Sequence, residues 1–128
     1  MNMLSIQCIT FDSENPSIPG KFWSEALGWQ ISISNDEEVV VENPNGGADL
    51  LFLKNPDPRM VKNRVHLDIR PENQTVEVAR LENLGAKRIE IGQSADPRTS
   101  WVVMEDPEGN LFCILRSSTE GANPYELN

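Results

Sequence analysis

Residues 100–116 read SWVVMEDPEGNLFCILR, two apolar runs joined by a turn. Val102, Val103 and Met104 lead into Asp106-Pro107-Glu108-Gly109-Asn110, and Leu111 to Leu115 run back. Proline presets one turn angle and glycine supplies the positive φ that a tight reversal needs. The stretch therefore predicts a β-hairpin, with Cys113 on its return strand among large apolar side chains. Glu105 and Asp106 flank the turn and are expected to be solvated.

Working outward, the same ending occurs once before. Gly46-Gly47 precedes Leu50-Leu51-Phe52-Leu53 much as Gly109-Asn110 precedes Leu111-Phe112-Cys113-Ile114. Upstream of each ending stands a helix that closes in similar words, Glu25-Ala26-Leu27-Gly28 and Glu82-Asn83-Leu84-Gly85. The first helix shows Phe22, Ala26 and Leu27 at helical spacing from Lys21 onward, with an irregular entry at Asn15-Pro16-Ser17; the second carries Val78, Leu81 and Leu84. Alternating runs predict strands at Leu4 to Phe11, Gln30 to Ser34, Val39 to Val41, Asp49 to Leu53, Arg64 to Arg70 and Lys87 to Ile91. In the Arg64 to Arg70 run, His66 and Asp68 share one face and Val65, Leu67 and Ile69 the other. Gln93 to Thr99 reads as a polar loop, and the proline-rich stretch between Lys54 and Asn63 as a linker. The order strand, helix, three strands thus occurs twice, and repetition of a whole element order weighs more than any short echo.

Composition bounds the partners. A chain of 128 residues, 38% apolar and with three Trp, can bury a core without disulfides or a structural metal. Its net charge of −9 repels phosphate backbones and anionic headgroups, so nucleic acid and membrane are not expected partners, and a cationic small molecule is favoured over an anionic one. The N-terminus has no basic region ahead of an apolar run, and no window reaches membrane-span length, which predicts a cytoplasmic protein. Two cysteines as far apart as Cys8 and Cys113 do not make a secreted disulfide framework.

Four stretches in this order, Phe22-Trp23-Ser24-Glu25-Ala26-Leu27-Gly28-Trp29, Val65-His66-Leu67-Asp68, Leu81-Glu82-Asn83-Leu84-Gly85-Ala86 and Asp106-Pro107-Glu108-Gly109-Asn110, resemble the vicinal oxygen chelate superfamily. That group includes glyoxalase I, the bleomycin-resistance proteins and extradiol dioxygenases, and the likeness is closest to its small glyoxalase-like proteins. The resemblance implies an α+β fold of two tandem βαβββ modules, with curved mixed sheets around a cleft, often completed as a homodimer. It implies a single domain over 1–118, with module one at about 3–54 and module two at about 64–116, followed by a polar tail at 119–128.

In metal-dependent members the ligands sit on the first strand of each module and on the last strand, usually as His, His and Glu. Matched residue by residue, those positions hold Cys8, His66 and Cys113. The oxygen ligand is gone, so Mg²⁺, Mn²⁺ or a two-His-one-carboxylate iron is not expected. The three either form a soft-metal site suited to zinc or are two small buried hydrophobes and a satisfied imidazole, and the expectation is no cofactor. His66, with Asp68 to orient it, is the acid-base candidate; Phe52, Trp101, Cys8 and Cys113 are the candidates for contact with a small-molecule ligand, and Trp23 for packing. Arg64 and Arg70 bracket the His66 strand and either bind an anion or counter nearby acids. The reading is a small-molecule-binding protein without the usual divalent-metal site. The alternatives are a glyoxalase-like lyase or isomerase using a soft metal or His66, and a non-catalytic accessory domain.

Overall fold

The structure is a computed structural model and describes residues 4–56 and 63–117. The central part of the expected linker and the 119–128 tail lie outside the described residues. The chain divides into two compact units, Met1–Pro58 and Arg59–Asn128.

The first unit contains β1 (Cys8–Ser13), α1 (Ser17–Leu27), β2 (Ile31–Ser34), β3 (Glu38–Val41) and β4 (Asp49–Lys54). Its sheet runs β1-β4-β3-β2, with β1 parallel to β4 and the other pairs antiparallel. The second unit contains β5 (Leu67–Ile69), α2 (Gln74–Asn83), β6 (Lys87–Arg88), β7 (Val102–Glu105) and β8 (Leu111–Ile114), with a single 3₁₀ turn at Gln93–Ala95. Its sheet runs β5-β8-β7-β6, again with one parallel pair at the strand that opens the unit. Both units are therefore βαβββ in chain order, and the fold class is α+β with two four-stranded mixed sheets.

Helix α1 begins four residues before the regular pattern does. Pro19 lies in its first turn, where a missing N–H costs nothing, and the backbone N–H of Gly20 already donates to Pro16 at 3.0 Å. The helix packs across β3, and Gly20 marks the closest approach: a Cβ there would lie 2.5 Å from Val39 Cγ1. Phe22 and Trp23 are buried beneath it, ring edge to ring face at 5.1 Å, which makes Trp23 a packing residue. Helix α2 is entered through Asn73, whose side-chain oxygen accepts from Val76 N at 3.0 Å, and buries Val78 and Leu81.

Three strands are displaced from their expected positions. β1 lies at Cys8–Ser13 because its ladder to β4 runs from Cys8↔Asp49 to Ser13↔Lys54, leaving Leu4 and Ile6 exposed. β5 pairs only over Leu67–Ile69, since it is an edge strand with β8 as its one partner, and Val65 is exposed rather than facing the core. β6 is only two residues long, although Ile89 N still donates to Val103 O at 2.9 Å. Apolar alternation shows which residues suit a strand; the length of the partner decides how many pair.

Candidate functional site

The last hairpin forms where expected, and its turn is held by a residue expected to be solvated. Asp106 is 2% exposed, so it is part of the structure and not a surface acid. Its Oδ1 accepts from Glu108 N at 2.9 Å and Asn110 N at 3.0 Å, and its Oδ2 accepts from Asn110 Nδ2 at 2.9 Å. Gly109, at φ 86°, allows the reversal, and Asp106 N donates to Asn110 O at 2.9 Å. This turn sets the β7–β8 register, Val103↔Cys113 and Glu105↔Leu111.

β5 then adds in parallel on the far side of β8, pairing Asp68 with Cys113. Directly paired residues on neighbouring strands project to one face, and His66, two residues before Asp68, projects to it as well. His66 Nε2 lies 3.1 Å from Asp68 Oδ1. One donor atom from each of His66, Asp68 and Cys113 falls within 4.8 Å of the others. The imidazole and carboxylate are 34% and 53% exposed, whereas Cys113 is only 8% exposed. The cluster is thus graded, with a thiol at its floor and two polar groups at its mouth.

Asn63 holds the approach to β5, a role the sequence did not signal. Its Oδ1 accepts from Leu111 N at 2.9 Å and its Nδ2 donates to Val65 O, tying the chain just before His66 to the first residue of β8. Gln74 at the start of α2 donates through Nε2 to Ser100 O at 2.8 Å and to Ile114 O at 3.0 Å. A lone Asn or Gln beside a turn has no pattern to announce such a contact. Arg70 donates through Nη1 to Arg116 O at 2.6 Å, a contact within the unit.

The remaining candidates are not members of this cluster. Trp101 immediately precedes β7 and is half-buried. Phe52 is fully buried and stacked on Phe11 with ring centroids 5.0 Å apart, so the expectation that it lines a ligand surface is corrected: its ring is core of the first unit. Alternation on β4 hid this, because either face of that strand is apolar. Cys8 opens β1 in the first unit, half-buried and paired with Asp49. Neither cysteine is in a disulfide. The first unit also has an open hollow of about 410 Å³ bordered by Glu14, Asn15, Asp36, Glu37 and Lys54, whose polar rim does not suit an apolar ligand.

Charged groups are strongly organised in the loop from Glu90 to Thr99. Hydrogen bonds from the Ser94 side chain and from Gly92 N lower the Glu90 pKa. The Arg98 guanidinium, with the Arg98 backbone N–H, holds Asp96 down to about 2, through contacts of 2.9 Å. The Thr99 hydroxyl donates to Gln93 O and closes the loop.

As a metal site, the second unit's cluster offers imidazole nitrogen, carboxylate oxygen and thiol sulfur. This mixed set does not fit Mg²⁺ or Mn²⁺, which take oxygen ligands, nor the two-His-one-carboxylate arrangement of non-haem iron.

The profile of the family described as glyoxalase-like domain matches residues 8–115. No curated protein is similar enough in sequence to count as a match. Solved structures share the fold. One is a glyoxalase/bleomycin resistance protein/dioxygenase family enzyme from Burkholderia phytofirmans PsJN, 16% identical, covering 87% of this chain and 97% of its own, at TM-score 0.69. Another is an antibiotic-binding protein from Streptomyces sp. CB03234, 18% identical, covering 92% and 99%, at TM-score 0.63. A third is a bleomycin-binding protein from Streptomyces verticillus, solved with copper(II)-bleomycin, 13% identical, covering 92% and 100%, at TM-score 0.61.

Proposed function

The chain belongs to the glyoxalase-like domain family, and from that premise we propose that it binds a cationic small molecule without the oxygen-ligated divalent ion of the family's metal-dependent members. The observation that carries the reading is Cys113. At the last-strand position where such members present Glu, this chain has a thiol 8% exposed. Without a carboxylate there, the ligand has to be held by shape, apolar contact and charge. In the second unit Trp101 would supply an aromatic wall, His66 and Asp68 the polar edge, and the net charge of −9 the long-range attraction. The antibiotic-binding and bleomycin-binding neighbours support a binding role.

The test is titration with a cationic glycopeptide antibiotic in the presence of a strong chelator, read by calorimetry and by tryptophan fluorescence. Saturable binding that weakens with added salt and in Trp101→Ala supports the reading. Binding that needs Mg²⁺ or Mn²⁺ overturns it. The protein is further proposed to work as a cytoplasmic homodimer, for which light scattering should give twice the chain mass of 14.4 kDa.

A second reading is favoured by the 3.1 Å approach of His66 Nε2 to Asp68 Oδ1. A carboxylate at that distance orients an imidazole, which suits His66 to proton transfer in a lyase or isomerase of the glyoxalase type. Under that reading His66→Gln abolishes turnover while leaving ligand affinity in place. Equal loss of both would return His66 to a binding role.

A further inference from the structure

We infer that His66, Asp68 and Cys113 form a three-donor site for a borderline-soft divalent cation of the zinc class, built wholly within the second unit. This differs from the family arrangement, which draws ligands from the first strand of both modules, and it adds Asp68, a residue that position matching does not supply.

The geometry carries the inference. Zinc takes nitrogen, sulfur and carboxylate oxygen at about 2.0–2.3 Å in a tetrahedron, so its donors stand about 3.3–3.7 Å apart. His66 Nε2 and Asp68 Oδ1 are at 3.1 Å, close to one edge of such a tetrahedron. With all three donors within 4.8 Å, completing the other edges takes at most about 1.5 Å of side-chain movement. Asp68 and Cys113 lie on two hydrogen-bonded strands, where their pairing fixes them side by side, and His66 immediately precedes the first of those strands. The exposure gradient provides an entry path, because the imidazole and carboxylate are open to solvent and Cys113 is largely covered.

Charge agrees with geometry. A thiolate, a carboxylate and a neutral imidazole balance a dication, and the thiol proton leaves to buffer as the sulfur–metal bond forms. Three protein donors leave the fourth position of the tetrahedron to water. Mg²⁺ and Ca²⁺ are disfavoured, since two of the three donors are nitrogen and sulfur. An exposed His–Asp pair alone is worth little and explains nothing about the thiol beneath it.

The experiment titrates the full-length, chelator-treated protein with Zn²⁺ by competition against a chromophoric chelator, and with Co²⁺ by absorption. One equivalent is expected, with a thiolate-to-cobalt charge-transfer band in the near ultraviolet and the visible bands of tetrahedral Co²⁺. Cys113→Ser, close in size, removes the charge-transfer band. Asp68→Asn, at an exposed position that leaves folding intact, weakens Zn²⁺ binding by roughly tenfold or more. Cys8→Ala leaves the metal affinity where it was. The inference is overturned if neither ion binds stoichiometrically, or if Cys8→Ala abolishes binding while Asp68→Asn does not. Because ligand binding is measured under chelator, failure here and failure of the proposed function are read separately.

Discussion

The hairpin that carries Cys113 stands on one carboxylate, and Asp106→Ala tests that dependence. The substitution removes an acceptor of three hydrogen bonds, two from turn amides and one from the Asn110 side chain, all at 2.9–3.0 Å. Hydrogen bonds to a charged group contribute roughly 1.5–3 kcal/mol each, while a buried amide left without a partner costs about 1–3 kcal/mol. Glu108 and Asn110 are half-buried, so water recovers part of this in the variant. The net loss comes to about 2–4 kcal/mol, a large share of the roughly 5–15 kcal/mol typical of a folded domain. Asp106→Asn keeps the acceptor for both amides but sets two NH₂ groups against each other at Asn110, and should cost about 1–2 kcal/mol. Urea denaturation checks both through the midpoint at constant slope. If Asp106→Ala falls within about 0.5 kcal/mol of the parent, or if Asn is worse than Ala, the turn is not held as described.

Other outcomes follow from the same contacts. Gly20→Ala forces a Cβ to within 2.5 Å of Val39 Cγ1 and should destabilise by about 1–3 kcal/mol, measured by thermal or chemical unfolding. Asn63→Ala breaks the tie between Val65 and Leu111, at about 1–2 kcal/mol, and should speed amide exchange at Leu111 before it does so at Met104. Asp96 is held down from 3.8 to about 2 in the folded protein, so its stabilising contact with Arg98 is fully present above pH 3.8 and is lost as pH falls towards 2. Arg98→Ala should raise the Asp96 midpoint part of the way to the ordinary carboxylate range in an NMR titration, because the backbone N–H of residue 98 still donates to it, whereas an unchanged midpoint would assign the whole shift to the backbone amide.

Much of the architecture is written locally. The doubled order of strand, helix and three strands, the stops at Gly28 and Gly85, and the turn at Asp106 to Asn110 all follow from short-range chemistry, because alternation, caps and turn residues act within a few positions of themselves. Strand ends were less legible. β1 and β5 depend on how far β4 and β8 extend beside them, and no residue within a strand encodes its partner's length. Phe52 illustrates the same limit for a side chain: both faces of β4 are apolar, and only the stacking of Phe11 shows which one is core.

The sequence by itself determined the fold class, the family and three positions of interest at Cys8, His66 and Cys113. It also showed Asp68 on the face of His66, through the period of two along a strand. What only the tertiary structure decided is that Asp68 lies beside Cys113, in a cluster with His66 that the second unit completes from its own residues. That adjacency is a property of parallel register across β5 and β8, set by the hairpin turn on one side and by the Asn63 tie on the other. Register joins residues far apart in the chain, so it emerges only when the sheet is assembled.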